Sequence, residues 1–234
     1  MKIEKIVIVI VALLIASILT CSLIGCKNNA STEYDVIKQT KKDNYTLLNE
    51  NSAQRNQTVF IGDSIIEIFN TELFDGLLST RVYNRGISGD TSDKLLERLQ
   101  DNALNIAPQN LVLLVGTNDL SRKISADVIC DNISKVIDKS KEANVENIVI
   151  CSLLPVNKSI NKNMVGSRKN ADIKTINAKL KDICEQKQVS FVDLYPLLED
   201  KDGNFEKSYT YDGLHPNAKG YVIITQALEK VLND

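Results

Sequence analysis

The sequence predicts a three-layer α/β fold built on a parallel sheet. Short apolar runs, rich in Val, Ile and Leu and with little strict alternation, recur along the chain. Such runs suit strands covered on both faces. Stretches with apolar residues at helical spacing lie between them, and strand–helix alternation is the pattern of a three-layer domain. A third observation says where chemistry belongs: small and polar clusters follow the strands directly, and open parallel sheets bind ligands beyond the carboxyl ends of their strands.

Residues 1–25 stand apart from this pattern. Lys2 and Lys5 precede an apolar stretch from Ile6 to Ile24, which reads as a secretory signal. It ends in Leu23-Ile24-Gly25-Cys26, which resembles the bacterial lipobox. That resemblance implies cleavage before Cys26 and a lipid on its sulfur, leaving the remainder tethered to the extracytoplasmic face of the cell membrane. An uncleaved membrane-spanning anchor is the alternative, since about 19 apolar residues can cross a bilayer. Residues 26–57 are rich in Asn, Lys, Ser, Thr and Asp and read as a polar tether carrying a short helix from Tyr34 to Leu48.

The domain is expected over residues 58–234. Strands are expected at Thr58–Ile61, Val82–Asn84, Leu111–Val115, Asn147–Cys151 and Val189–Val192. Leu95, Leu96 and Leu99 mark a helix between the second and third. Ile129, Ile133, Val136 and Ile137 mark one before the fourth. Ile173, Ile176, Leu180 and Ile183 mark another before the fifth, and Val222–Leu232 closes the chain. The polar segment Val156–Asn170 follows the fourth strand and reads either as a recognition loop or lid beside the site or as a mobile surface connection.

Composition narrows the function. The chain has 234 residues, 43% hydrophobic and 25% charged, which excludes low-complexity and collagen-like classes. Its 28 basic and 30 acidic residues leave a formal charge of −2, giving no electrostatic reason to bind nucleic acid. Beyond Cys26 the domain carries Cys130, Cys151 and Cys184, an odd number set among apolar neighbours, and all three read as small core residues. With one His and scattered cysteines, no metal site or cofactor is expected. Asp200-Lys201-Asp202-Gly203-Asn204 hints at a calcium loop, but its Gly comes too early and no Glu stands at the twelfth position, so it reads as a polar turn. Gly86-Ile87-Ser88-Gly89 lacks the Lys-Ser/Thr ending of a phosphate loop.

Four clusters lie where the fold puts its ligand site. They are Gly62-Asp63-Ser64, then Asn84 to Thr91 with Gly89, then Gly116-Thr117-Asn118-Asp119, and Asp212-Gly213-Leu214-His215-Pro216-Asn217. Ser64, between a strand and a helix start, is either an N-cap or a nucleophile favoured by the helix N-terminus. His215 is the only imidazole available to take its proton, and Asp212 three residues earlier can fix the ring's tautomer. Gly89 can present a backbone N–H, Asn118 a side-chain amide and Ser64 its own N–H to an oxyanion. Asp63 and Asp119 read as organisers of backbone turns.

These blocks, in this order, resemble those of the SGNH hydrolases, also called GDSL esterases and lipases. The match runs from about Val59 to Leu228. The resemblance implies a flavodoxin-like sheet of about five parallel strands in the order 2-1-3-4-5. It implies Ser64 as nucleophile, Asp212 and His215 as its partners, and Ser64, Gly89 and Asn118 as the oxyanion hole. The α/β-hydrolase elbow Gly-x-Ser-x-Gly fits less well, because Ile66 stands where the second Gly belongs. The expected activity is hydrolysis of a short acyl ester, acetyl by preference, on a carbohydrate or other polar alcohol. A lipase or lysophospholipase, an acyltransferase, and a surface binding module without turnover are the alternatives.

Overall fold

The computed structural model describes residues 33–233. The expected signal segment and Cys26 lie outside the described residues. The chain divides into two units, residues 1–43 and 44–234. The first is helical over residues 33–43. The second opens with helical residues 44–51, so helix extends beyond the expected Leu48.

The expected tether, residues 26–57, does not persist to its end as a free linker. Tyr45 Oη donates to Gly86 O (2.9 Å), and Asn49 Nδ2 donates to Asp101 O (2.9 Å). Arg85 Nη2 donates to Asn49 Oδ1 (2.7 Å). Polar side chains that read as solvating a linker instead satisfy groups of the domain.

Five parallel strands form one sheet in the order β2-β1-β3-β4-β5, as the family resemblance implied. They are β1 (Thr58–Gly62), β2 (Val82–Gly86), β3 (Asn110–Leu114), β4 (Asn147–Cys151) and β5 (Ser190–Val192). The expected runs at 111–115 and 189–192 thus shift by a residue at their ends. The α-helices from residue 64 onward are α1 (Ser64–Glu67), α2 (Ser92–Asn102), α3 (Thr117–Ser121), α4 (Ala126–Glu142), α5 (Lys162–Val165), α6 (Asn170–Lys187), α7 (Tyr195–Leu198) and α8 (Ala218–Leu232).

Alternation along each strand makes two cores. Val59, Ile61, Leu111, Leu113, Ile148 and Ile150 face one side, where they meet Leu95 and Leu99 of α2, Ile133 and Ile137 of α4, and Ile176 and Leu180 of α6. Phe60, Val112, Leu114, Val149 and Val192 face the other, against Ile65, Ile66, Phe69 and Phe74 and the Tyr221–Ile224–Leu228 stripe of α8. Both faces being covered explains why the strands read as continuous apolar runs. Among the described residues no helix is long and apolar enough to cross a membrane.

The sheet order sets the site. Strands β2, β1 and β3 are adjacent, with Gly62 in register with Gly86 and with Leu114. Whatever follows these three residues emerges along one edge of the sheet.

Candidate active site

The first side chain is placed by a backbone squeeze. A Cβ on Gly62 would lie 2.2 Å from Leu114 O and 2.5 Å from Ile66 Cγ1, so β1 passes into α1 only with glycine there. Asp63, not Ser64, caps the helix: its Oδ1 accepts from Ile65 N (2.9 Å). The N-cap reading of Ser64 therefore gives way, because the preceding carboxylate does that work. Ser64 Oγ lies 2.9 Å from His215 Nε2, across 151 positions of sequence. Tyr221 Oη of α8 donates to Ile65 O (2.7 Å), tying the short serine helix to the last helix.

The His215 loop is held by its own residues. Asp212 Oδ1 accepts from Leu214 N (2.9 Å) and His215 N (2.8 Å), while His215 Nδ1 donates to Asp212 Oδ2 (2.6 Å). Thr210 Oγ1 donates to His215 O (2.7 Å) and accepts from Gly213 N (2.9 Å). Gly213 has φ +79, and a Cβ on it would meet Asn157 O at 2.2 Å. Both the dihedral and the contact require glycine.

With Nδ1 donating to a carboxylate, the lone pair of His215 faces the Ser64 hydroxyl. Burial alone would raise the Asp212 carboxyl. The bonds from the His215 ring and from the His215 and Leu214 backbone outweigh it and hold the group below the usual carboxylate range.

The neighbouring strand ends are clamped to one another. Gly89, with φ +74, lies in the loop after β2, and its carbonyl accepts from Arg122 Nη2 (3.1 Å). Asn118 is the second residue of α3, and its Nδ2 donates to Asp90 O (3.0 Å). Asp119 accepts from Ser92 N and Ser92 Oγ (2.6 Å), so the carboxylate after Asn118 anchors the start of α2. Beneath the loop, buried Arg98 bonds to Asp90 Oδ2 (2.7 Å), Arg85 O (2.8 Å) and Gly62 O (3.0 Å). Asp63 and Asp119 thus organise turns, as their positions suggested. Burial pushes the Asp63 carboxyl up to about 7, and its Oδ2 finds no partner among the described residues.

A serine, an imidazole and a carboxylate in bonded series can pass a proton off the serine, and N–H groups of the Gly89 loop and the Asn118 amide are of the kind that receives a negative oxygen. The sequence profile of the GDSL-like lipase/acylhydrolase family matches residues 60–223. The chain belongs to this family. It is 28% identical over 183 residues, 75% of each chain, to platelet-activating factor acetylhydrolase IB subunit alpha1 of Bos taurus. A GDSL-like lipase from Bacteroides thetaiotaomicron superposes with TM-score 0.72 at 25% identity, covering 82% of this chain and 97% of the other. A Streptococcus pneumonia protein, provisionally assigned as a platelet activating factor, gives TM-score 0.78 at 30% identity, covering 83% and 92%. The GDSL-like chain is accordingly a serine hydrolase of carboxylic esters.

Of the two readings of segment 156–170, the mobile surface connection gives way. Val156, Asn157, Val165 and Arg168 are buried, and Asn157 N donates to Gly213 O (2.8 Å). Arg168 was not anticipated as a site residue. It is 5% exposed, and its Nη2 donates to Asn118 Oδ1 (3.1 Å). The available signal was slight: Arg168 is the one arginine in a stretch whose other basic residues are lysines. The three domain cysteines are buried, as expected, and burial pushes Cys130 up to about 11 and Cys151 and Cys184 up to about 12. A cavity of about 420 Å³ lined by Leu120, Ile124, Ala126 and Ile176, among others, contains neither Ser64 nor His215.

Proposed function

We propose that this GDSL-like hydrolase removes a short acyl group, acetyl by preference, from a carbohydrate or other polar alcohol through an acyl-enzyme on Ser64. The observation that carries the proposal is the unbroken series Ser64 Oγ–His215 Nε2 and His215 Nδ1–Asp212 Oδ2, at 2.9 and 2.6 Å. His215 takes the Ser64 proton as Oγ attacks the ester carbonyl. Asp212 keeps the ring in the accepting tautomer and steadies the imidazolium. The Ser64 and Gly89 N–H groups and the Asn118 amide receive the oxyanion. The tetrahedral intermediate collapses as His215 protonates the departing alcohol, and water repeats the sequence to free the acid.

A short acyl group is favoured by the acetylhydrolase relative. A polar alcohol is favoured by the Asn, Ser and Lys character of residues 157–163 beside the His215 loop. The lipobox-like Leu23-Ile24-Gly25-Cys26 supports a lipid on Cys26 and activity at the extracytoplasmic face of a membrane. The test is a panel of acetylated sugars, acylated peptidoglycan fragments and lysophospholipids, scored for released acid, with Ser64→Ala alongside. Acetylated sugars are expected to turn over fastest, and Ser64→Ala to lose at least about 10³-fold. Faster release from long-chain lipids would replace the substrate assignment. An active Ser64→Ala would replace the mechanism.

A further inference from the structure

We propose that Arg168 is a positioning residue that fixes and polarises the Asn118 amide, turning its N–H toward the oxyanion. The inference rests on the acyl-enzyme reading of Ser64. An asparagine side chain has two ends of opposite character, and only the Nδ2 end can serve an oxyanion. Two bonds decide which end faces the site. Asn118 Oδ1 accepts from Arg168 Nη2 (3.1 Å), and one Nδ2 hydrogen goes to Asp90 O (3.0 Å). A flipped amide would set Nδ2–H₂ against a guanidinium and its oxygen against a carbonyl, two repulsions in place of two bonds. The second Nδ2 hydrogen is left for substrate.

Arg168 is itself over-determined, as a positioning group must be. Its Nε donates to Thr117 O (2.8 Å) and Thr117 Oγ1 (2.9 Å), and its Nη1 donates to Met164 O (3.2 Å) and Val165 O (3.1 Å). The fork thus grips both residue 117 and residue 118 of α3 from a segment distant in sequence. Ser167 Oγ, which donates to Ser121 O (3.0 Å), holds the same segment on α3. Among the described residues no carboxylate bonds the guanidinium; Asp63 acts on it through its field. A positive group on Oδ1 withdraws charge through the amide and strengthens its N–H as a donor, most when the oxyanion is fully formed. The effect therefore falls on the transition state and on kcat.

The experiment is a double-mutant cycle on a chromogenic acetyl ester with Asn118→Ala, Arg168→Met and their combination. Asn118→Ala is expected to lower kcat on the order of 10²–10³-fold. Arg168→Met is expected to lower it about 10–100-fold with KM within about twofold, and the double variant to be no worse than Asn118→Ala alone. Guanidinium at millimolar concentration is expected to restore part of the kcat of Arg168→Ala but none in the double variant Asn118→Ala/Arg168→Ala. A purely structural arginine would instead give multiplicative losses in the cycle, and that result, or parental kcat in Arg168→Met, overturns the proposal. Where Arg168→Met does not fold, Arg168→Lys, which keeps the charge but not the fork, is held to the same cycle. Ser64→Ala in the same assay separates the two readings. If it remains active, the acyl-enzyme falls and the positioning role with it; if it is inactive while the losses multiply, the positioning role alone falls.

Discussion

The two halves of the site are built in opposite ways. The His215 half is local: within residues 210–215, Asp212 accepts two backbone N–H groups and a ring N–H, and Thr210 bonds to both His215 and Gly213. The oxyanion half is assembled from afar. Arg98 reaches Gly62, Asp119 reaches Ser92, and Arg168 reaches Asn118 from 50 positions away. In the proposed mechanism the moving proton is served by a turn held mostly by its own residues, with Asn157 N bonded to Gly213 O and Leu214 packed in the core as its anchors to the domain. The proposed oxyanion site is served by rigid elements locked to one another, because its donors act only if they are in place before charge develops. Loss of a functional side chain in the first half should therefore stay confined to catalysis, whereas damage to the second spreads into the fold.

Breaking the local half gives the largest effect. Asp212→Asn keeps the shape but places an amide where Nδ1–H needs an acceptor, so the ring is free to take the wrong tautomer. A loss of about 10²–10⁴ in kcat is expected, with the melting temperature little changed, since the side chain is part-exposed. Steady-state kinetics beside a thermal melt would test both parts, and a large fall in melting temperature would contradict the confinement.

Gly213→Ala probes a place where the local turn leans on the rest of the molecule. A Cβ at φ +79 is strained and meets Asn157 O, so the turn must shift. A cost of about 1–3 kcal/mol in stability is expected, with a loss of about tenfold in kcat as Nε2 moves off the serine. Urea unfolding and kinetics together would check it; parental values in both would mean that segment 156–160 does not brace the loop.

The smallest effect on turnover, and the most informative about the assembled half, concerns pH. Asp63 is held near 7 in the folded chain, well above an ordinary carboxyl. Between those values the unfolded chain releases the proton and the folded chain keeps it, so stability falls as pH rises through that window and levels above about 7. The decline has an upper value of about 4 kcal/mol. Asp119, also raised by burial, acts in the same direction, while depressed Asp212 acts in the opposite one, its contribution being lost as pH falls through its folded value. Asp63→Asn should flatten the parental slope between pH 4 and 7. Urea titrations across that range would show it, and an unchanged slope would remove Asp63 as the source.

Much of this could be read in the sequence, for reasons that differ by region. The strands were legible because residues such as Val112, Val149 and Ile150 are buried on a covered sheet, leaving an uninterrupted apolar run. The Asp212–His215 turn was legible because its bonds span three residues. Arg168 was not, because nothing in the periodicity of residues 156–170 says that a polar segment folds under α3 to reach Asn118. Asp63 was read as a turn organiser, yet its taking the cap from Ser64 depends on which of two adjacent side chains points inward. The packing of Tyr45 and Asn49 onto Gly86 and Asp101 was hidden for the same reason: a polar side chain looks alike whether its partner is water or a distant carbonyl.

The sealed sulfurs of Cys130, Cys151 and Cys184 have a practical corollary. Each sits in the packed interior with its proton tightly retained, so an alkylating reagent has no purchase while the domain is shut. Modification at these positions therefore clocks breathing of the interior, with Cys151 on the central sheet and Cys130 and Cys184 on two flanking helices reporting which part opens first.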